Sequence, residues 1–162
     1  MTVKPTSLAQ FDAEHFIPHR RSMVLLDKII FADETRCISQ LEIHANSLFA
    51  NEQGVPSWVG IEYMAQTIAA FAGVQARAKA QEPEIGFLLG TRSYQVQTPL
   101  FKIGQKLQIS ATHVLTDNSL TVFACSLHQG VDEPWSGLGT LIAEARINAY
   151  LPDPDTLKTY LA

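Results

Sequence analysis

Residues Ser57–Ala80 read SWVGIEYMAQTIAAFAGVQARAKA, and this run decides the architecture. Trp58, Ile61, Ala65, Ile68 and Ala72 recur at spacings of three and four, which puts them on one stripe of an α-helix. Ser57 suits the N-cap and Pro83 marks the far end. The expected helix has six to seven turns and is roughly 35 Å long at 1.5 Å per residue. Glu62 is its only charge before Arg77, so the helix should be buried on most sides.

The segments on either side have the period of strands. Leu8–Phe16 reads as a short helix that stops before Pro18. Met23–Phe31 and Arg36–His44 read as a hairpin about Asp33-Glu34-Thr35, the second strand alternating with Cys37, Ser39, Leu41 and Ile43 on one face. Asn51–Ser57 reads as a loop. After the helix, Ile85–Val96, Lys106–Thr116, Leu120–Gln129 and Gly139–Tyr150 carry strand residues, with turns at Asp117-Asn118 and at Gln129–Asp132 and an exit loop at Pro152–Pro154. An antiparallel sheet that must bury one long helix curls around it. The expectation is a single α+β domain spanning 1–162 with the hotdog fold, a curled antiparallel sheet wrapped around one central helix.

The chain has 162 residues, with 12 Lys and Arg against 16 Asp and Glu, for a formal charge of −4. That balance argues against nucleic acid or an anionic membrane surface as a partner, because both call for clustered positive charge. Charged residues are only 17% of the chain and hydrophobic ones 46%, which suggests extra buried surface at a homodimer or higher oligomer interface. Cys37 and Cys125 form no metal or redox motif and read as buried, reduced thiols. The first residues show no apolar secretory segment, and a soluble, cytoplasmic protein is expected.

Glu62 is the most informative residue for chemistry. A carboxylate in the second turn of an apolar helix is costly unless paired, and it lies where the helix dipole favours negative charge. Gln66 follows at i+4 on the same face, and Ala69 and Gly73 continue that face with small residues. The backbone N–H groups at the helix start, from Ser57 through Trp58, Val59 and Gly60, are candidate donors to a developing oxyanion. Of the five histidines, His15 sits at a helix end, His113 and His128 lie within strand patterns, His44 ends a strand and His19 precedes one. There is no GxSxG elbow, glycine-rich phosphate loop or HExxH, and no metal or organic cofactor is indicated.

Pro18–Ile29 (PHRRSMVLLDKI) resembles the "PHR…LLVDRV" segment of the 3-hydroxyacyl-acyl-carrier-protein dehydratases of type II fatty-acid synthesis. Val55–Gln66 (VPSWVGIEYMAQ) is similar to that family's "PG…(L/I)EAMAQ" helix start, and closer still to a dehydratase subgroup associated with aryl-polyene synthesis. Pro99 and Gly104 are similar to its "RPV-x-PGD" stretch. The resemblance implies a dimerising hotdog fold, a substrate tethered to acyl carrier protein through phosphopantetheine, and loss of water to give a trans-2-enoyl thioester. It places Glu62 at the family's acidic position. The family's catalytic histidine lies in a "GHFPG" loop 14 residues before that acid, but here Ser47–Gly54 (SLFANEQG) holds no histidine. His19, in the matching segment, is therefore the candidate base, with His44 the runner-up. Arg20, Arg21, Arg77 and Lys79 are candidates to dock the acidic carrier protein. Two alternatives stay open: an acyl-thioesterase of the same fold, and a non-catalytic partner of another dehydratase.

Overall fold

The computed structural model describes residues 11–81, 86–131, 137–150, Pro152 and residues 158–159. Its strands, in chain order, are β1 (Phe11–Asp12), β2 (Lys28–Ala32), β3 (Arg36–Glu42), β4 (Gly54–Pro56), β5 (Phe87–Val96), β6 (Leu100–Lys102), β7 (Lys106–Asp117), β8 (Leu120–Gln129) and β9 (Leu141–Tyr150), with the helix α1 at Gly60–Ala78. Seven strands form one antiparallel sheet in the order β1-β2-β3-β7-β8-β9-β5, while β4 and β6 pair apart from it. Helix α1 packs across β7, β3 and β8, as expected for a hotdog fold.

The alternation read in β3 holds. Cys37, Leu41 and Ile43 face the core with Ile29, Leu107, Ile109, Phe123 and Leu127. The sheet-facing side of α1 contributes Tyr63, Met64, Ile68 and Ala70. Two buried hydroxyls also meet there: Thr67 Oγ1 lies 2.6 Å from Ser39 Oγ on β3 and donates to the Tyr63 carbonyl at 2.8 Å. Further along, Gln75 Nε2 donates to the Asp33 carbonyl at 2.7 Å. The Asp33 carboxylate holds the β2–β3 turn by accepting from Thr35 N–H, Thr35 Oγ1 and Arg36 N–H at 2.8–2.9 Å. Burial alone would raise its pKa, but these hydrogen bonds outweigh that and hold it below the usual carboxylate range.

Four expectations need correction. Of the helix expected over Leu8–Phe16, Leu8–Gln10 lie outside the described residues; the rest is β1 followed by one 3-10 turn at Ala13–His15. Phe11 and Asp12 pair with Ile29 and Lys28, and that tertiary pairing overrides local propensity. The strand expected over Met23–Phe31 pairs as β2 only at Lys28–Ala32, because Arg21–Met23 turns in a 3-10 conformation. The stretch Asn51–Ser57 is not all loop, since Gly54–Pro56 pairs with β6. The long helix begins as a 3-10 turn at Ser57–Val59 with no side-chain cap, and ends at Ala78. Pro83, Ile85, Asp132, Asp153 and Pro154, which entered the sequence expectations, lie outside the described residues.

Gly73 shows how closely the N-terminal segment seats on α1. A Cβ there would stand 1.9 Å from the Phe16 carbonyl oxygen, a backbone atom that cannot yield without moving the whole turn. Ala13, Phe16 and Ile17 are buried in the core beside it. Gly73→Ala should lower stability by about 1–3 kcal/mol through this overlap. Urea unfolding followed by circular dichroism measures it, and an unchanged midpoint would remove the close approach from the account.

Candidate active site

A cavity of about 510 Å³ runs along α1, bounded by the helix, the loop at Pro18–His19 and residues of β5, β7, β8 and β9. Glu62, Ala65, Ala69, Ala72 and Lys79 line it from the helix, Pro18 and His19 from the preceding loop, and Phe87 and Leu88 from β5. Its head is formed by Glu62 and His19, whose Oε1 and Nε2 atoms stand 3.6 Å apart. Both side chains are partly open, Glu62 at 39% and His19 at 28%.

The loop that presents His19 is built by its neighbour. Arg20 Nη1 donates to the Ile17 carbonyl at 2.6 Å and to the His19 carbonyl at 2.7 Å, closing the turn after Pro18. Arg20 thus does the turn-holding work, and the His19 ring points to Glu62. The His19 Nδ1 atom is buried without a hydrogen-bond partner.

Gln66 fixes the other half of the head. It is fully buried. Its Oε1 accepts the Leu25 N–H at 2.9 Å, and its Nε2 donates to the Met23 carbonyl at 2.7 Å and to Glu62 Oε1 at 3.1 Å. The Leu25 N–H can only donate, which settles which end of the amide is oxygen. One carboxylate oxygen of Glu62 is therefore held by Gln66 and faces His19.

The other sequence candidates fall elsewhere. His44 is exposed at the end of β3, with its backbone N–H on Ser47 Oγ at 2.9 Å; it does not line the cavity, and the structure does not bring it to Glu62. Trp58 gives Glu62 no buried apolar setting: it is 59% exposed and its ring packs on Phe49, with centroids 5.2 Å apart. Trp58, Val59 and Gly60 do not line the cavity. Two of the expected oxyanion donors are already engaged, the Ser57 N–H with the Pro99 carbonyl and the Gly60 N–H with the carbonyls of Ser57 and Trp58. Tyr94 covers this end, its hydroxyl donating to the Ser57 carbonyl at 2.6 Å; a Cβ on Gly60 would lie 2.4 Å from that hydroxyl, so glycine is what lets the ring in. Burial pushes the Tyr94 phenol up to about 12.

Among the docking candidates, Arg77 is committed to the N-terminal segment. Its guanidinium lies over the Phe16 ring at 4.6 Å and donates to the His15 carbonyl at 3.1 Å. Arg21 and Lys79 are exposed, and Lys79 stands at the cavity rim. Burial pushes the thiols of Cys37 and Cys125 up to about 12, which removes both as nucleophiles at neutral pH. Among the described residues no helix is long and apolar enough to cross a membrane, and no three His, Cys, Asp or Glu side chains are grouped to hold a metal ion.

Sequence reasoning passed over the cavity's far wall, where Phe71, His113 and Phe123 cluster. His113 reads from the sequence as an ordinary strand residue; its position opposite Phe71 of α1 is the signal that only the fold supplies.

With this geometry in view, the chain can be placed among known proteins. Residues 11–162 match the ApeP-like family, described as ApeP dehydratase. The chain is 24% identical over 121 residues to the 3-hydroxyacyl-[acyl-carrier-protein] dehydratase FabZ of Psychrobacter arcticus, covering 71% of this chain and 82% of that protein. Its structure is similar to the dehydratase heterocomplex ApeI:P from Xenorhabdus doucetiae, with a TM-score of 0.80 at 26% identity over 93% of this chain and 97% of that one. It is also similar to a hypothetical thioesterase with coenzyme A from Streptococcus pneumoniae, with a TM-score of 0.57 at 12% identity over 76% and 84%, a likeness of fold alone. The family match spans the head of the cavity as well as the sheet, and the chain belongs to the ApeP-like dehydratase family, as a hydro-lyase of hotdog fold.

Proposed function

We propose that the chain removes water from a 3-hydroxyacyl thioester carried on acyl carrier protein, in fatty-acid or aryl-polyene type synthesis, with His19 and Glu62 as the reacting groups. The observation that carries this reading is the 3.6 Å approach of His19 Nε2 to Glu62 Oε1 at the head of an apolar cavity. Elimination needs a base at C2 and an acid at the C3 hydroxyl. Neutral His19 takes the C2 proton, the C3–O bond breaks, and protonated Glu62 supplies the proton with which hydroxide leaves as water. His19 then returns its proton to Glu62 across their contact, so the pair is reset without a cofactor. Gln66, by holding one oxygen of Glu62, leaves the other to face the substrate. The phosphopantetheine arm is part of the substrate. Arg21 and Lys79 are the exposed cations placed to meet an acidic carrier protein.

A second reading keeps the same fold but gives the chain a different partner. The solved structure with TM-score 0.80 is a dehydratase heterocomplex, ApeI:P. In this chain the edge strand β5 exposes Phe87, Leu88 and Leu89 beside the partly open Ala65–Ala69–Ala72 trough of α1. An apolar sheet edge of this kind calls for a covering strand. We infer that a second chain pairs along β5, either another copy or a related dehydratase. The thioesterase alternative draws only on likeness of fold.

Turnover of a 3-hydroxyacyl thioester, read as rising enoyl absorbance, tests the first reading. Glu62→Gln and His19→Asn should each lower it by about 10²–10⁴-fold with the circular dichroism spectrum intact. A loss below tenfold for His19→Asn, beside an inactive Glu62→Gln, would remove His19 as the base. Gln66→Leu should cost about 1–3 kcal/mol for each buried backbone group it orphans, and should also lower turnover. Size-exclusion chromatography with light scattering should give at least a dimer, and a stable monomer at micromolar concentration that gains activity on adding a second dehydratase would favour the heterocomplex. Activity in a monomer alone would overturn the pairing.

A further inference from the structure

We propose that His113, held by Thr116, which is itself bonded to Thr121, is a specificity-determining residue that meets the far end of the acyl chain and selects chains whose terminus carries a hydrogen-bonding group. This rests on the reading that Glu62 and His19 handle the thioester end of the same cavity.

The argument begins with strand register. On β7 the residues Leu107, Ile109 and Ala111 face the core, and His113 continues that alternation opposite Phe123 of β8. In a regular strand Thr116, three residues on, would face the other way. It does not, because a bulge between His113 and Leu115 inserts one residue: His113 pairs with Phe123, but Leu115 pairs with Val122 and Thr116 with Thr121. The bulge turns Thr116 back to the face of His113. There Thr116 Oγ1 lies 2.8 Å from His113 Nε2 and 3.2 Å from Thr121 Oγ1. All three residues line the cavity.

The ring is fixed from the helix side as well. His113 stacks flat on Phe71, with centroids 6.4 Å apart and planes 8° apart, and meets the edge of Phe123 at 5.8 Å. A phenyl ring would fill this stack equally well. What the imidazole adds is nitrogen, and one nitrogen is already tied to a hydroxyl that can both donate and accept. Phe71 follows Glu62 by nine residues, so the cluster lies about 14 Å along α1 from the acid. Ala65, Ile68 and Ala69 line the cavity between them, and Ala72 continues that apolar wall past Phe71. An apolar trough that ends in an imidazole and two hydroxyls is matched to a chain that is apolar along its length and polar at its tip. A methyl-ended chain of the same length would desolvate those groups without replacing their partners.

The test is a binding comparison that does not depend on turnover. Unreactive pantetheine thioethers bearing two acyl groups of equal length, one ended by hydroxyl and one by methyl, are titrated by calorimetry into the full-length chain. The hydroxyl-ended ligand should bind about tenfold more tightly. His113→Phe, which keeps the stack, and Thr116→Val, on the exposed end of β7, should each bring the ratio within about twofold. Turnover of 3-hydroxybutyryl pantetheine, too short to reach His113, reports separately on the Glu62–His19 end of the cavity. Equal binding of the two ligands by the unsubstituted chain, or a ratio that survives both substitutions, overturns the proposal. Loss of 3-hydroxybutyryl turnover in the unsubstituted chain would instead count against the catalytic reading and leave the binding ratio to decide this one.

Discussion

An amide buried in a protein has two lone pairs and two N–H donors to satisfy, and Gln66 meets three of these four demands by tying helix α1 to the stretch before β2. It fastens α1 to Met23 and Leu25, where the 3-10 turn gives way to the approach to β2, through two backbone groups, and it spends its remaining N–H on Glu62. Those backbone groups lie outside the sheet, which β2 enters only at Lys28. The stretch they anchor follows directly on the turn that carries His19. One buried side chain therefore couples the position of the histidine loop to the orientation of the acid. A site with partners this close needs that coupling, because a shift of 1 Å at either member would separate them.

Legibility in the sequence followed the source of each element's stability. Helix α1 and the strands β3, β7, β8 and β9 were readable because a hydrophobic face repeats along them at the period of the element. The three-residue strands β4 and β6 were not, because Gly54–Pro56 and Leu100–Lys102 are extended only through each other, with no periodicity to betray them. The short helix expected near Leu8 failed for the same reason in reverse: its residues had a fair local pattern, but β2 offered Phe11 and Asp12 a backbone pairing. Glu62 was legible as a charge in an apolar run and His19 through the segment that resembles a family. The face of Thr116 was not legible at all, since a one-residue bulge reverses the inference that alternation supports.

The loop at Ser47–Asn51 holds no histidine. In the family that the sequence resembles, this region carries the catalytic imidazole. Here Phe49 occupies it with φ of 67°, a backbone conformation that bulky residues avoid, and lays its ring on Trp58. Holding a residue in that region costs of order 1–3 kcal/mol, which the surrounding structure must offset. The result is an exposed aromatic pair beside the start of α1, on a surface that does not reach the cavity.

With His19 as the proposed base, a second chain has a task other than completing the acid–base pair. His19 and Glu62 come from one chain and already stand 3.6 Å apart within it. Pairing along β5 would therefore not be needed to bring acid and imidazole together. It would cover the apolar wall formed by Phe87, Leu88 and the alanine trough, and so exclude water from the chain-binding part of the cavity. In such a site the electrostatics of the head are set inside each subunit, while the dielectric around the acyl chain is set by the assembly.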